Sequence, residues 1–578
     1  VTTGHEETAL ISAALAAKAA AWMAADPDPS TRAELAALVD AGDGEAVRDR
    51  FESPLSFGTA GLRGALGAGP ARMNRLVVRA TTAGVAHWVL GQGAGAARRG
   101  IVVGRDARHG SDEFARDVAE VASRAGVVVR VFPRPLPTPL TAFAVKHLGA
   151  AAGVMVTASH NPAADNGYKV YMADGAQVIP PADAVIAEAA STALAQAIAS
   201  PADPTPAPDA AARKLCESID EAELLGAYRR RAFALLDPAG PRRLRIVYTP
   251  LHGVGGEVVP ELLQQAGFGP VSVVSAQGEP DPDFPTVSFP NPEEPGALDL
   301  ALADAVRLGA DIVLANDPDA DRLAIAVPEP SGGTWRMLTG DELGVLIADR
   351  VLSQTSGGDR LVATTIVSST MLSAMAKAAG VAYVETLTGF KWIARAAVRR
   401  PGSRLVFGYE EALGYEVGDA VSDKDGLSAA LVVAEIAAAA KADGTSVTDR
   451  LDSLASRFGV HATAQWSLRL EGATAQAEMA GIVDRWRTHP PATLAGLAVT
   501  ELVDLSEGAG ELPATDALVL RLGKRARVVM RPSGTEPKLK VYFEVVTAPT
   551  TPEHLAEQRS EADLLLGSLK DDVATRCQ

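Results

Sequence analysis

Cysteine is scarce in this chain: Cys216 and Cys577 are the only two among 578 residues, and they stand far apart. A disulfide framework is not expected, and a reducing cytoplasm is the expected compartment. Basic residues are outnumbered, 54 Lys and Arg against 71 Asp and Glu, for a formal charge of -17. That balance argues against nucleic acid, which needs a basic stripe. Small anionic substrates remain compatible, because a local arginine cluster can outvote the net charge inside a cleft. A bilayer-spanning run is also missing. The stretch LSAALVVAEIAAAA, residues 427–440, is short for a span and carries Glu435, so it is expected as a buried helix. The start, VTTGHEETAL, has acids where a leader needs bases, so no targeting segment and no membrane partner are expected.

What is present is enough apolar residue, 47%, for real cores, with an ordinary 22% charged. At roughly 100–200 residues per domain the length suggests three to five domains. The first residues, to about 49, read as helical with weak caps. Then short apolar runs alternate with helical stretches: IVVGRDAR, GVVVRVF and AAAGVMV; LRIVYTP, VSVVSA and ADIVLAN; RLVATTIV, VAYVETLTGFKW and SRLVFGYEEALGY. This alternation predicts a mainly parallel α/β sheet, repeated in a loose threefold pattern, each repeat delivering a polar loop. A Pro-rich stretch, residues 200–214, reads as a loop or linker. From about residue 458 the pattern changes to alternating strands (ALVLRLG, ARVVMRPSG, LKVYFEVV) and a last helix, a smaller α+β domain. The predicted boundaries are 1–215, 216–335, 336–455 and 456–578.

Six segments carry the candidate chemistry. In DPDADR, Asp317, Asp319 and Asp321 are spaced by two, so an extended loop would turn all three carboxylates the same way. Mg²⁺ prefers such an oxygen set and often completes it with a phosphate; a solvated acidic turn is the plain alternative. Placement after ADIVLAN favours the metal, because ligands collect at strand carboxyl ends in α/β sheets. RPSGTEPKLK offers the planar fork of Arg531 and, at Ser533, Gly534 and Thr535, hydroxyls and close backbone N–H groups for an anion. FGTAGLRG surrounds Arg63 with glycines but lacks the end of a nucleotide P-loop. GYEEALGY presents Glu410 and Glu411, a pair suited to sugar hydroxyls, and LTGFKW adds Thr388, Gly389 and Lys391. VTASHNP exposes Ser159 beside His160 at a strand end. Adjacent side chains rarely face each other, and no Gly-x-Ser-x-Gly elbow is present, so hydrolysis by a Ser-His pair is disfavoured. A serine near a metal and anion-binding loops reads instead as a phosphoryl carrier. His252 in TPLHGVGG and the six tryptophans read as packing.

Together these motifs resemble the α-D-phosphohexomutase family, the phosphoglucomutases and phosphomannomutases, over about residues 55–546. TASHNP is similar to the family's phosphoserine loop, DPDADR to its magnesium loop, GYEEALGY to its sugar loop and RPSGTEPKLK to its phosphate-binding loop. The resemblance implies four domains around a central cleft: three similar mixed-sheet α/β domains and a smaller C-terminal α+β domain. It implies that Ser159 carries the phosphate and that Asp317, Asp319 and Asp321 hold Mg²⁺ with it. Arg63 and Arg322 would steady the transferring group, with His160 and Lys169 (of NGYKVY) in proton transfer or orientation. Glu410 would bind sugar hydroxyls, and Arg531, Ser533 and Thr535 the non-reacting phosphate. The implied reaction moves phosphate between C1 and C6 of glucose phosphate, with glucose 1,6-bisphosphate as intermediate and activator; mannose or pentose phosphates are the alternatives. Many members carry Gly-Glu-Glu-Ser in the sugar loop; here Ala412 follows Glu411. That spelling resembles the branch mixing phosphoglucomutases and phosphopentomutases. A metal-dependent phosphatase and a non-catalytic phosphosugar sensor are the rival classes.

Overall fold

The computed structural model describes residues 11–58, 61–201, 210–329, 333–470, 474–532 and 538–577. It divides into two compact units, Val1–Ile325 with Asp419–Leu431 and Ala326–Gly418 with Val432–Gln578. Much of the Pro-rich stretch lies outside the described residues.

The first unit opens with three helices, Ala13–Ala25, Pro29–Asp40 and Gly44–Phe51. Their caps are stronger than expected: Ser12, Asp28 and Asp43 each accept a backbone N–H of the first turn. The first sheet holds β1 (Leu62–Ala65), β2 (Ile101–Arg105), β3 (Val129–Val131), β4 (Ala152–Val156), β5 (Asp165–Met172) and β6 (Cys216–Ser218), in the order β1-β5-β4-β2-β3-β6. β2, β3, β4 and β6 run parallel, whereas β4 and β5 form an antiparallel pair and β5 pairs antiparallel with β1. The sheet is therefore mixed. β5 escaped the reading because Asn166, Gly167 and Lys169 interrupt its apolar pattern, although Tyr168 and Val170 are buried.

The second sheet contains β7 (Arg243–Thr249), β8 (Gly269–Val273), β9 (Ile312–Ala315), β10 (Ala324–Pro328) and β11 (Trp335–Met337), ordered β11-β10-β9-β7-β8. The third contains β12 (Arg360–Thr365), β13 (Ala382–Thr386), β14 (Arg404–Glu410) and β15 (Gly414–Val417), ordered β13-β12-β14-β15. The threefold pattern now has a topological form. Call the four repeat strands a, b, c and d in chain order. In all three sheets they are arranged d-c-a-b, as β5-β4-β2-β3, β10-β9-β7-β8 and β15-β14-β12-β13. The c–d connection holds TASHNP in the first repeat and DPDADR in the second, and in the third it begins with Glu411, directly after Glu410 at the end of β14. One architectural position recurs three times, each time with a different polar loop.

The C-terminal part of the second unit begins with β16 (His461–Arg469), followed by the short pair β17 (Thr493–Leu494) and β18 (Leu497–Ala498). Then come β19 (Glu501–Asp504), β20 (Leu518–Leu522), β21 (Ala526–Pro532) and β22 (Lys538–Val546). Its main sheet runs β16-β22-β21-β20-β19, antiparallel throughout. Period-2 alternation gives it two apolar faces. Val528, Met530 and Phe543 pack with the helices Ala475–Thr488 and Leu555–Cys577, while Val529 and Tyr542 pack with Ile366 and Val367 after β12. The apolar stretch at 427–440 is the expected buried helix, Gly426–Ala442, and Glu435 within it pairs with Arg350. Among the described residues no helix is long and apolar enough to cross a membrane.

Candidate active site

In the first unit, Ser159 follows β4 with φ +54°, the left-handed region that a non-glycine residue rarely adopts. It is 3% exposed, so the serine expected at the surface is buried. The loop is held from outside. Arg108, in the turn after β2, donates to the carbonyls of Ser159, Asn161, Pro162 and Asp165. The Ser159 N–H donates to the Thr157 hydroxyl at 2.8 Å. Gly167 on β5 permits the close return of the hairpin: a Cβ there would lie 2.4 Å from the Thr157 carbonyl oxygen. The bent backbone also turns Ser159 Oγ to within 3.2 Å of His160 Nδ1. The expectation that these adjacent side chains would not meet is thus corrected, and φ is the reason.

The Ser159 hydroxyl donates to Asp317 Oδ2 at 2.7 Å. Asp317, Asp319 and Asp321 are fully buried, and one oxygen from each lies within 4.8 Å of the others. Lys169 Nζ bridges Asp319 Oδ2 at 2.7 Å and Asp321 Oδ2 at 2.8 Å, and Thr138 donates to Asp319 at 2.6 Å. Lys424 Nζ stands 3.5 Å from Asp321. Burial, reinforced by Asp319 and Asp321, pushes the Asp317 carboxyl well above its ordinary range. Burial works the same way on Asp319, but Lys169 outweighs it and holds that group below the usual range. On Lys169 burial opposes the charge, yet Asp319 and Asp321 together keep the ammonium above its ordinary value. Burial, then Arg322 and Arg63, drive the His160 imidazole well below its usual range, so it is neutral at neutral pH.

Asp319 Oδ1 and Asp321 Oδ1 are buried with no hydrogen-bond partner. A buried unpaired carboxylate oxygen is costly, and a hard divalent cation with oxygen ligands removes that cost at both atoms. The donor set fits Mg²⁺. Arg322 sends its backbone N–H to Asp317 Oδ1 at 3.0 Å, and the exposed Arg63 reaches Asn161 Oδ1 at 3.0 Å. The metal loop itself is packed against glycines. A Cβ on Gly253 would lie 2.3 Å from Pro318 Cα, and one on Gly426 2.5 Å from the Arg322 carbonyl oxygen. His252 packs as expected, buried and in contact with Thr286 at 2.8 Å.

In the second unit, Glu410 Oε1 accepts the Gly389 N–H at 2.7 Å. Glu411 Oε2 accepts from Ser368 at 3.1 Å, and burial, then Glu410 and Asp341, push its carboxyl up to about 7. Thr388 and Lys391, on either side of Gly389 in the chain, are half-buried, Lys391 Nζ lying 6.0 Å from the Trp392 ring centre. Arg531 ends β21 half-buried; Ser533, Gly534 and Thr535 lie outside the described residues. Arg108, Lys424, Thr138 and Ser368 were missed. Their contacts are with residues distant in the chain, and only GRDAR, a polar turn after a strand, offered a local signal for Arg108.

Four family models match consecutive stretches: phosphoglucomutase/phosphomannomutase alpha/beta/alpha domains I, II and III at residues 54–197, 228–332 and 339–458, and the C-terminal domain at 493–561. The chain belongs to the phosphoglucomutase/phosphomannomutase family. It is accordingly an intramolecular phosphotransferase, a mutase. It is 39% identical to a Schizosaccharomyces pombe protein named "Probable phosphoribomutase", covering 90% of this chain and 92% of that one. It is 40% identical to a Haemophilus influenzae "Probable phosphomannomutase", covering 82% and 93%, and 33% identical to a Staphylococcus aureus "Phosphoglucomutase", covering 86% and 90%. A Burkholderia thailandensis phosphoglucomutase/phosphomannomutase family protein shares the fold at 22% identity with a TM-score of 0.63, covering 89% of this chain and 97% of that one.

Proposed function

We propose that this mutase interconverts glucose 1-phosphate and glucose 6-phosphate through a phosphoryl group carried on Ser159. The observation that carries the reading is the buried Ser159 hydroxyl, 2.7 Å from Asp317, in an aspartate trio with two unpartnered oxygens. Mg²⁺ held by Asp317, Asp319, Asp321 and the Ser159 phosphate would neutralise charge on the transferring group. Phosphoryl transfer otherwise needs positioning, and the chain's own side chains supply it. Arg108 fixes the Ser159 carbonyl, and with it the direction of Oγ. Lys169, locked between two carboxylates, acts as a fixed charge rather than a proton carrier. His160, neutral and 3.2 Å from Oγ, is placed to take the proton from the attacking sugar hydroxyl. Arg63 and Arg322 steady the phosphoryl oxygens.

In the first transfer the bond from phosphorus to Ser159 Oγ breaks and a bond to the C6 hydroxyl oxygen forms. The hydroxyl proton ends on Ser159. The resulting glucose 1,6-bisphosphate, which also serves as activator, exchanges ends and returns its C1 phosphate to Ser159. Glu410, Thr388, Gly389 and Lys391 grip sugar hydroxyls, and Arg531 with Ser533, Gly534 and Thr535 binds the non-reacting phosphate. A pentose phosphate is the second reading. It is favoured by the methyl of Ala412, where many members carry a hydroxyl, and by the name of the S. pombe relative. Two free cysteines support a reducing compartment, the cytoplasm.

The test supplies Mg²⁺ and trace glucose 1,6-bisphosphate, then glucose, mannose or ribose 1-phosphate separately, with Ser159→Ala as control. Isomerisation without phosphate release, lost in the variant, supports the mutase and ranks the sugars. Phosphate release without isomerisation makes the protein a phosphatase. No turnover of any sugar moves the reading to a sensor.

A further inference from the structure

Within the second unit, one buried turn touches both the sugar loop and the strand that carries Arg531. Residues 366–370 follow β12, and Ser368 among them is 1% exposed. Its hydroxyl donates to Glu411 Oε2 at 3.1 Å and accepts the Glu411 backbone N–H at 3.2 Å. Its carbonyl accepts Arg527 Nη2 at 2.6 Å. Arg527 stands on β21 four residues before Arg531, so the period of two sends both side chains to the same sheet face. The Arg527 side chain is only 7% exposed and is paired with Glu544 on the adjacent strand and with Glu385 on β13, each at 3.0 Å. Glu544 also accepts the Thr370 N–H at 2.6 Å, and Asp341 accepts the Ser369 N–H at 2.6 Å. The turn is therefore fixed at three consecutive residues by charged groups that have little freedom to move.

Under the mutase reading, on which this inference rests, a sugar phosphate is held at two points: its hydroxyls by Glu410 and its non-reacting phosphate at Arg531. The span between those points differs between a hexose and a pentose by about one carbon–carbon bond, about 1.5 Å. A misplacement of about 1 Å can cost about 100-fold in rate, so whatever fixes the span also selects the sugar. We propose that Ser368 and Arg527 are positioning residues that set this span and so determine specificity between hexose and pentose phosphates. Glu411, adjacent to Glu410 but tied to Ser368, is then the anchor of the sugar loop rather than a sugar ligand.

The test compares kcat/KM for glucose 1-phosphate and ribose 1-phosphate in the full chain, in Ser368→Ala and in Ser368→Thr, with thermal unfolding of each. Removing the hydroxyl is expected to change the ratio between the sugars by about fivefold or more, toward unity. Threonine keeps the hydroxyl and is expected to hold the wild-type ratio. Arg527→Lys keeps the charge beside Glu544 but loses the guanidinium fork, and is expected to relax the ratio in the same direction. An unchanged ratio, or equal loss on both sugars in proportion to lost stability, overturns the proposal and leaves the turn a fold support. A wild-type protein that isomerises neither sugar sinks the mutase reading itself, and this inference with it.

Discussion

The Ser159 loop and the Glu410–Glu411 loop occupy the same place in their sheets yet are built in opposite ways. The first sets its serine hydroxyl against an electrostatic device: the three fully buried aspartates of the DPDADR loop, the bridging Lys169 of β5 and two carboxylate oxygens without partners. The second is half-buried and held by neutral donors, the Gly389 N–H and the Ser368 hydroxyl, with its charge weakened by burial. A loop that handles a phosphoryl group needs strong fixed charge in a place that excludes water. A loop that reads hydroxyls needs position, and strong charge would bind water as well as sugar.

The largest effect should come from Ser159→Ala, which removes the proposed phosphoryl carrier and should lower turnover by at least about 10⁴-fold, with folding unchanged by circular dichroism. Substitution in the sugar loop, Glu410→Gln, should cost far less than this and appear mainly in KM. If both abolish turnover alike, the contrast between the loops is lost. Next, Asp319→Asn removes one proposed metal ligand and one partner of Lys169. Activity should fall by about 10²-fold or more and the Mg²⁺ concentration for half-activity should rise, as a metal titration after chelator treatment would show. Arg108→Lys replaces a fork that reaches four carbonyls with a point donor. A fall in kcat of about 10–100-fold with KM little changed is expected in steady-state kinetics.

The smallest effect tests the charge of the sugar loop. Glu411 titrates near 7 in the fold against an ordinary 4.5, so the native state holds the proton more tightly than the unfolded chain. That contribution to stability is present below about pH 4.5 and is lost as pH rises through about 7. Glu411→Gln cannot ionise, so its melting temperature should gain on the wild type between pH 5 and pH 8. A constant difference across that range would show that burial does not govern the group.

The motif loops were legible because each concentrates polar residues directly after an apolar strand. Three aspartates in five residues after an apolar strand, or two adjacent glutamates between glycines, stand out locally in the chain. The repeated strand order was legible only in outline. Its fourth strand is interrupted by polar residues, and Lys169 on β5 sits where an apolar residue would have announced a strand. The supporting groups were hidden for a different reason. Arg108 meets Ser159 across 51 residues and Arg527 meets Ser368 across 159, so neither pairing has a local signature. Burial of Ser159 was hidden too, because its left-handed backbone and the return of β5 are tertiary facts.

The most direct test of the account is the site of phosphorylation. The protein would be treated with glucose 1,6-bisphosphate and Mg²⁺, digested, and its peptides mapped by mass spectrometry, then chased with glucose 1-phosphate and ribose 1-phosphate. The account predicts one phosphoryl group on the peptide holding Ser159, removed by a sugar phosphate that the enzyme isomerises. A phosphoryl group on another residue, or none on Ser159 while isomerisation proceeds, would contradict it.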